Sequence, residues 1–349
     1  MSRALRLLVA LFVLLASFPL LAGASSQGAS QADAARAEHQ RIVDFWTVER
    51  VAQAVPRDFA FDPSTGRFHP SHHRPDHAGG PGGGGGGDNG DSTTVTGASW
   101  EGGGTVVNST GKVLFSLGTT YYVCSASVVN DSASGRSLVL TAAHCVYDNE
   151  GAGEFAENWM FIPNYDAQPA PLTTSGSFCA QTIYGCWTAT ALVVHNGFAS
   201  AGGFNATAIV HDFAFAVLGL GGKNGTLVES LGTQNIVFTN VSRGTRVHAF
   251  GYPHAAPYNG TDLVYCAGDA GFDNRLAQLT YKLRCNMTGG SSGGPWYYQF
   301  SGSNGTGTAV SVNSYRYLGG SDMYGPKFNS NTAALYNAAH TTTGDAIVP

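Results

Sequence analysis

An all-β fold of antiparallel strands is predicted from about residue 105 onward, on three observations. Short runs rich in β-branched and aromatic residues recur about every 10 to 20 positions. Gly, Asn, Ser and Pro bound these runs, and only one stretch, Ser330 to Ala339 behind the polar "NSN", reads as a helix. The clearest strands are "KVLFSL", "YYVCSASVV", "SLVLTAA", "NWMFIP", "ATALVVH", "DFAFAVLGL", "NIVFTN", "RVHAFGYP", "LTYKLRC", "PWYYQF" and "TAVSVNSY". About a dozen strands over roughly 250 residues bury a substantial core, as a sandwich or as one or two barrels.

The preceding residues have a different character. Arg3 and Arg6, an apolar run from Leu7 to Leu21 and the small residues "AGA" predict a signal peptide over residues 1–24, ending after Ala24. The apolar run is shorter than the roughly 20 residues that span a bilayer, and no later segment is long and apolar enough. Residues 25–77 read as a propeptide with one helical candidate, Val48 to Ala54, capped by Thr47 and stopped by Pro56. A Gly-rich linker follows over 78–97, leaving 98–349 as the main domain. The histidines of "HPSHHRPDH", His69 to His77, adjoin glycines that give no rigid frame for a metal, so the stretch is taken as linker.

Charged residues make up only 12% of the chain and the net charge is -5, which argues against a nucleic-acid footprint or a polybasic membrane patch. A protein or peptide partner is expected, with a monomer as the default. Cys124, Cys145, Cys179, Cys186, Cys266 and Cys285 are even in number in a chain bound for an oxidising compartment, so three disulfides are expected. No C-x-x-C pair or matching His spacing indicates zinc, and no metal or cofactor is expected. Sequons at Asn108, Asn130, Asn205, Asn224, Asn240, Asn259, Asn286 and Asn304 fit a glycosylated secreted protein or an Asn- and Thr-rich exoprotein.

Three segments carry candidate chemistry. "LVLTAAHC" delivers His144 at a strand end, "HDFAFAVL" opens an apolar strand with Asp212, and "TGGSSGGPW" boxes two serines between glycines. His211, His195, His248 and His254 lack such context. Asp148, Asp166 and Asp262 are rivals to Asp212, but none begins a comparable apolar run.

"TAAHC", "DFAF" and "GSSGGP", in that order, resemble the signatures of chymotrypsin-fold (trypsin-like) serine proteases over about residues 105 to 345. "GYP" at Gly251 to Pro253 and "TGGSSGGP" resemble, more loosely, the glutamyl-endopeptidase-like branch. The resemblance implies two six-stranded antiparallel barrels with a C-terminal helix, and a secreted endopeptidase working through an acyl-enzyme. It makes Ser292 the nucleophile, His144 the base and Asp212 the residue that fixes the imidazole tautomer, the roles of the Ser-His-Asp triad in this family. Gly290 and Ser292 would present backbone N–H groups to the oxyanion from a loop that needs glycine to turn tightly.

The resemblance also implies pairings Cys124–Cys145, Cys179–Cys186 and Cys266–Cys285. It places Asn286 at the specificity-pocket floor, with Thr288, Asn313 and Ser314 also binding substrate. No carboxylate at position 286 disfavours Arg or Lys as the residue before the cut, while Asn313 stands where glutamyl endopeptidases carry histidine. Arg316 reads as a solvated surface residue, with positive charge at the pocket rim as the alternative. Ser291 cannot make the ion pair with a new N-terminus that an aspartate makes in digestive relatives, so propeptide removal is expected to activate by unblocking or by another N-terminal contact. Two rival readings are a protease-like secreted binding protein without turnover and a lipase or esterase built on G-x-S-x-G. The strand-like "PWYYQF" after the serine and the order of the acid and histidine oppose the esterase.

Overall fold

The computed structural model describes residues 22–71, 93–132, 134–151, 153–167 and 176–349. Residues 1–21 of the expected signal peptide, most of the Gly-rich stretch, and His72, His73 and His77 lie outside the described residues.

Strands dominate, as expected. Thr110–Leu117, Thr120–Val129, Ser137–Thr141, Glu157–Pro163, Trp187–His195 and Ala214–Leu218 pair antiparallel, and Thr120–Val129 also pairs with Ser137–Thr141, closing a six-stranded barrel. The register sets Ser127 opposite Leu140 and Ala214 opposite Thr141. Every residue of Thr110–Leu117 and Ala214–Leu218 is buried, because one face fills the barrel while the other is covered by neighbouring elements.

The second half has two six-stranded sheets. One contains Val95–Ser99, Arg246–Gly251, Val264–Asp269, Pro295–Ser301 and Thr306–Val312; the other contains Thr280–Arg284, Tyr315–Tyr317 and Asp322–Pro326. They enclose Val247, Val264, Tyr281, Leu283, Met287, Trp296, Val310 and Met323, and Cys266–Cys285 joins them. Val95–Ser99 pairs with Val264–Asp269, so regular structure begins three residues before position 98. "NIVFTN" yields only the two-residue strand Asn235–Ile236.

The helix Ser330–Ala339 forms where expected, started by a capping box of Asn329 and Thr332. It buries Leu335 and Ala339, and its Tyr336 ring meets Phe215 of the first barrel at 5.5 Å. Short helical turns such as Asn196–Ala199 and Ala206–Ile209 carry too few periods to be read from sequence.

Residues 22–71 hold more structure than the single helix foreseen. Besides Val48–Gln53 there is a helix over Ala22–Phe45, and Phe59–Asp62 and Arg67–Pro70 form a hairpin. Trp46 is 1% exposed and donates its indole N–H to Asn158 O at 2.7 Å; Val51, Phe59 and Phe61 are buried as well. Each such side chain is worth about 1.5–3 kcal/mol when fully buried, so this segment is held firmly against the main domain. No helix among the described residues is long and apolar enough to cross a membrane.

Candidate active site

The strand Ser137–Thr141 ends in a tight turn, Ala143–Cys145, that carries His144 into the interface between the two halves. Cys145 is bonded to Cys124 and its carbonyl accepts from Trp159 Nε1 at 3.0 Å, so the turn is clamped on both sides. His144 is fully buried. Its Nδ1 donates to Asp212 Oδ2 at 2.8 Å and its backbone N–H to Asp212 Oδ1 at 2.9 Å. Two bonds to two oxygens fix both the carboxylate plane and the ring tautomer. Ser314 donates its hydroxyl to Asp212 Oδ2 at 2.5 Å.

The two serines differ in their hydrogen bonding. Ser291 Oγ turns back to Thr288 O at 2.8 Å and serves the loop. Ser292 Oγ faces the cleft, where it donates to Asp58 Oδ1 at 3.1 Å, while Nε2 of His144 has no partner among the described residues. Ser291 N–H, Gly293 N–H and Gly294 N–H donate to Thr288 O, Asn313 O and Ser291 O. Among the described residues, the N–H groups of Gly290 and Ser292 donate to no backbone carbonyl. This alternation leaves a pair of unused donors beside the hydroxyl. Gly293 is required: its φ is +81°, and a Cβ there would lie 2.1 Å from Thr141 Oγ1 and 2.4 Å from Ser125 O.

Ser125, on a strand of the first barrel, ties the loop to that barrel. Its N–H donates to Ser292 O at 2.7 Å, its hydroxyl donates to Gly290 O at 2.9 Å, and the same oxygen accepts from Tyr252 N–H at 2.9 Å. Gly251 of "GYP" passes so close to Ser291 that a Cβ would sit 2.9 Å from that residue's Cβ.

The other expected site residues are distributed differently. Asn313 is fully buried behind the loop, donating to Phe250 O and Ser291 O at 2.9 Å and accepting from Trp296 Nε1 at 2.7 Å. With its amide committed to the scaffold, it contacts the serine loop where a substrate contact was expected. Ser314 likewise spends its hydroxyl on Asp212. Thr288 donates to Ala255 O at 2.5 Å, and half-buried Asn286 accepts from Tyr258 OH at 2.7 Å. His195 and His211 stack on each other at 4.6 Å, beside Phe213. Asp148 pairs with Arg57 at 3.0 Å.

Burial raises the Asp58 carboxyl above its usual range, opposed by the charges of Arg316 and His144 and by the bond from Ser292. Behind the loop, burial and then the Lys112 charge push His254 down to about 4; its backbone N–H donates to Gly289 O at 2.7 Å. Lys112, 3% exposed with Nζ 4.2 Å from the Tyr165 ring centre, is lowered to about 7 by burial.

All six cysteines are paired as expected: Cys124–Cys145, Cys179–Cys186 and Cys266–Cys285. Cys124, His144 and Cys145 lie close enough together to suggest a metal site, but the oxidised sulfurs offer no thiolate and Asp212 holds the imidazole Nδ1.

Sequence reasoning missed Ser125, the bond from Ser314 to Asp212, and Asp273, whose buried carboxylate accepts from Tyr315 OH at 2.7 Å and Tyr317 OH at 2.8 Å. Only the alternating tyrosines of "SYRY" could have hinted at a shared polar partner for that strand.

Residues 87–190 match the family described as lysyl endopeptidase, C-terminal domain. The crystal structure of a thermostable serine protease, AL20, from an extremophilic microorganism is similar over 68% of this chain and 99% of its own, with 38% identity and a TM-score of 0.56. The protease Anisep from Arthrobacter nicotinovorans is similar over 68% and 97%, with 37% identity and a TM-score of 0.55. A Glu endopeptidase in complex with MPD, at 18% identity and a TM-score of 0.51 over 71% of this chain and 97% of its own, shares the fold. No curated protein sequence matches the chain.

Proposed function

The chain belongs to the chymotrypsin-fold serine proteases and is a serine endopeptidase, and on that basis we propose that Ser292 is its nucleophile, His144 its general base and Asp212 the group that orients and stabilises the imidazole. An alcohol is a weak nucleophile at neutral pH, so Ser292 must pass its proton to a base as it attacks the scissile carbonyl. With Nδ1 held by Asp212, His144 presents Nε2 as the acceptor, then returns the proton to the leaving amine. The N–H groups of Gly290 and Ser292 receive the oxyanion; one such donor is worth about 10²–10³ in rate. Water then cleaves the acyl-enzyme by the same steps in reverse roles.

The observation that carries this reading is the buried His144–Asp212 pair at 2.8 Å next to a serine loop with two unused backbone donors. Substrates are proteins or peptides, met outside the cell after removal of residues 1–24. Residues 25–77 act as a propeptide. For the residue before the cut, Asn286 and Tyr258 offer no carboxylate, which disfavours Arg and Lys.

A peptide library incubated with the processed chain and with its Ser292→Ala variant tests the proposal. Cleavage by the former alone, at bonds not preceded by Arg or Lys, is expected. Equal cleavage by both rejects the nucleophile, and cleavage after Arg or Lys rejects the specificity.

A further inference from the structure

The cleft is already occupied. We propose that residues 48–71 are an intramolecular inhibitor in which Asp58 holds Ser292 idle, and that activation consists of removing this segment. The inference rests on Ser292 being the nucleophile.

Phe59–Asp62 adds to the edge of Tyr315–Tyr317 as a parallel strand, with Phe59 opposite Tyr315 and Phe61 opposite Tyr317; Asp322–Pro326 takes the other edge. An extended peptide bound by strand addition needs that same edge. Val55–Pro56 meanwhile pairs with Tyr122–Val123 of the first barrel, so the segment crosses from one half of the molecule to the other over Ser292.

The segment lies in the cleft without offering a bond to cut. The group that meets Ser292 Oγ is the Asp58 side-chain carboxylate, a poor electrophile, and it takes the hydrogen bond that His144 Nε2 would otherwise accept. The Asp58 backbone carbonyl accepts from Ser71 N–H at 2.7 Å, so it is not presented to Gly290 and Ser292. Arg57 locks the register: Nε donates to His144 O at 2.8 Å and the guanidinium pairs with Asp148 at 3.0 Å. Phe59 stacks on Phe204 at 4.0 Å and sets its edge against His144 at 5.4 Å, while Phe68 meets Tyr315 at 5.1 Å.

The nucleophile loop is fully formed with the inhibitor in place. Ser291 Oγ is bonded to Thr288 O and Ser125 holds Gly290, so no new terminus is needed to shape it. Release of the block is therefore sufficient.

The test is the rate of fluorophosphonate labelling of the intact full chain, scored on the uncut band. Asp58→Ala is expected to label at least tenfold faster than wild type. Asp58→Asn, which keeps an acceptor at the same place, should stay within about threefold of wild type. Cutting wild type between Ser71 and Thr93, then diluting, should accelerate labelling as Asp58→Ala does, because the inhibitor is no longer tethered. Asp58→Ala as slow as wild type, or an intact wild type as fast as the cut and diluted chain, overturns the proposal. Labelling of Ser292→Ala in the cut chain at the wild-type rate defeats the nucleophile assignment instead, which separates the two failures.

Discussion

Ser314 and His144 converge on one oxygen: the Ser314 hydroxyl donates to Asp212 Oδ2 at 2.5 Å and the imidazole Nδ1 to the same atom at 2.8 Å. A buried carboxylate with so few solvating partners depends on each donor, and a hydrogen bond to a charged group contributes about 1.5–3 kcal/mol. Ser314→Ala in the processed chain should lower kcat by roughly 10- to 100-fold if about 1.5–3 kcal/mol of that support acts on the transition state. KM should change little, since the hydroxyl is spent on Asp212. A rise in KM with kcat unchanged would instead return Ser314 to substrate binding.

Ser125 joins the loop of one half to a strand of the other through three hydrogen bonds. Ser125→Ala keeps its own N–H bond to Ser292 but strands Gly290 O and the Tyr252 N–H in a buried site. An unsatisfied buried group costs about 1–3 kcal/mol, so denaturant unfolding should show a loss of at least about that size, together with slower fluorophosphonate labelling. Unchanged labelling would mean the loop is shaped without this tie.

The Cys124–Cys145 bond closes a loop with a sequence separation of 21 beside the His144 turn. Replacing both cysteines by alanine should destabilise the protein by about 3 kcal/mol on the chain-entropy estimate, seen as a lower denaturant midpoint. Activity of the folded fraction should also fall, because the turn loses one clamp. Stability equal to wild type would contradict this.

Lys112 supplies a pH test. Its folded value is lowered from 10.5 to about 7 by burial, so between these limits the unfolded chain binds more protons than the folded one. Stability from this group therefore rises with pH across that window. The groups facing it are Tyr165 and His254, the latter already lowered by burial and by the lysine. Relative to Lys112→Met, wild type should gain stability between pH 7 and pH 10, measured by denaturant unfolding. A constant difference would mean the lysine keeps its proton.

Much of this was legible in the sequence, because the strands of the first barrel are long and uniformly apolar, as in "KVLFSL" and "DFAFAVLGL". His144, Asp212 and Ser292 each stand next to such a strand or a glycine-framed loop, which is why short motifs single them out as candidates. What stayed hidden depends on contacts between distant segments. Nothing near Ser125 announces that its hydroxyl serves Gly290, and nothing near Ser314 announces Asp212. The resemblance assigns Asn313 to substrate binding from its place in the motif, while its bonds to Trp296 Nε1, Phe250 O and Ser291 O join segments far apart in the chain. The segment before the linker shows only one helix to sequence reading because Trp46, Val51, Phe59 and Phe61 are spaced irregularly and pack on residues of the main domain such as Tyr121, Phe204 and Tyr317.

Mapping the fluorophosphonate adduct by peptide mass spectrometry, on the processed chain and on His144→Ala, addresses the central claim most directly. A single adduct on Ser292, none on Ser291, and its loss in His144→Ala are predicted. An adduct on another residue, or undiminished labelling without His144, would contradict the account.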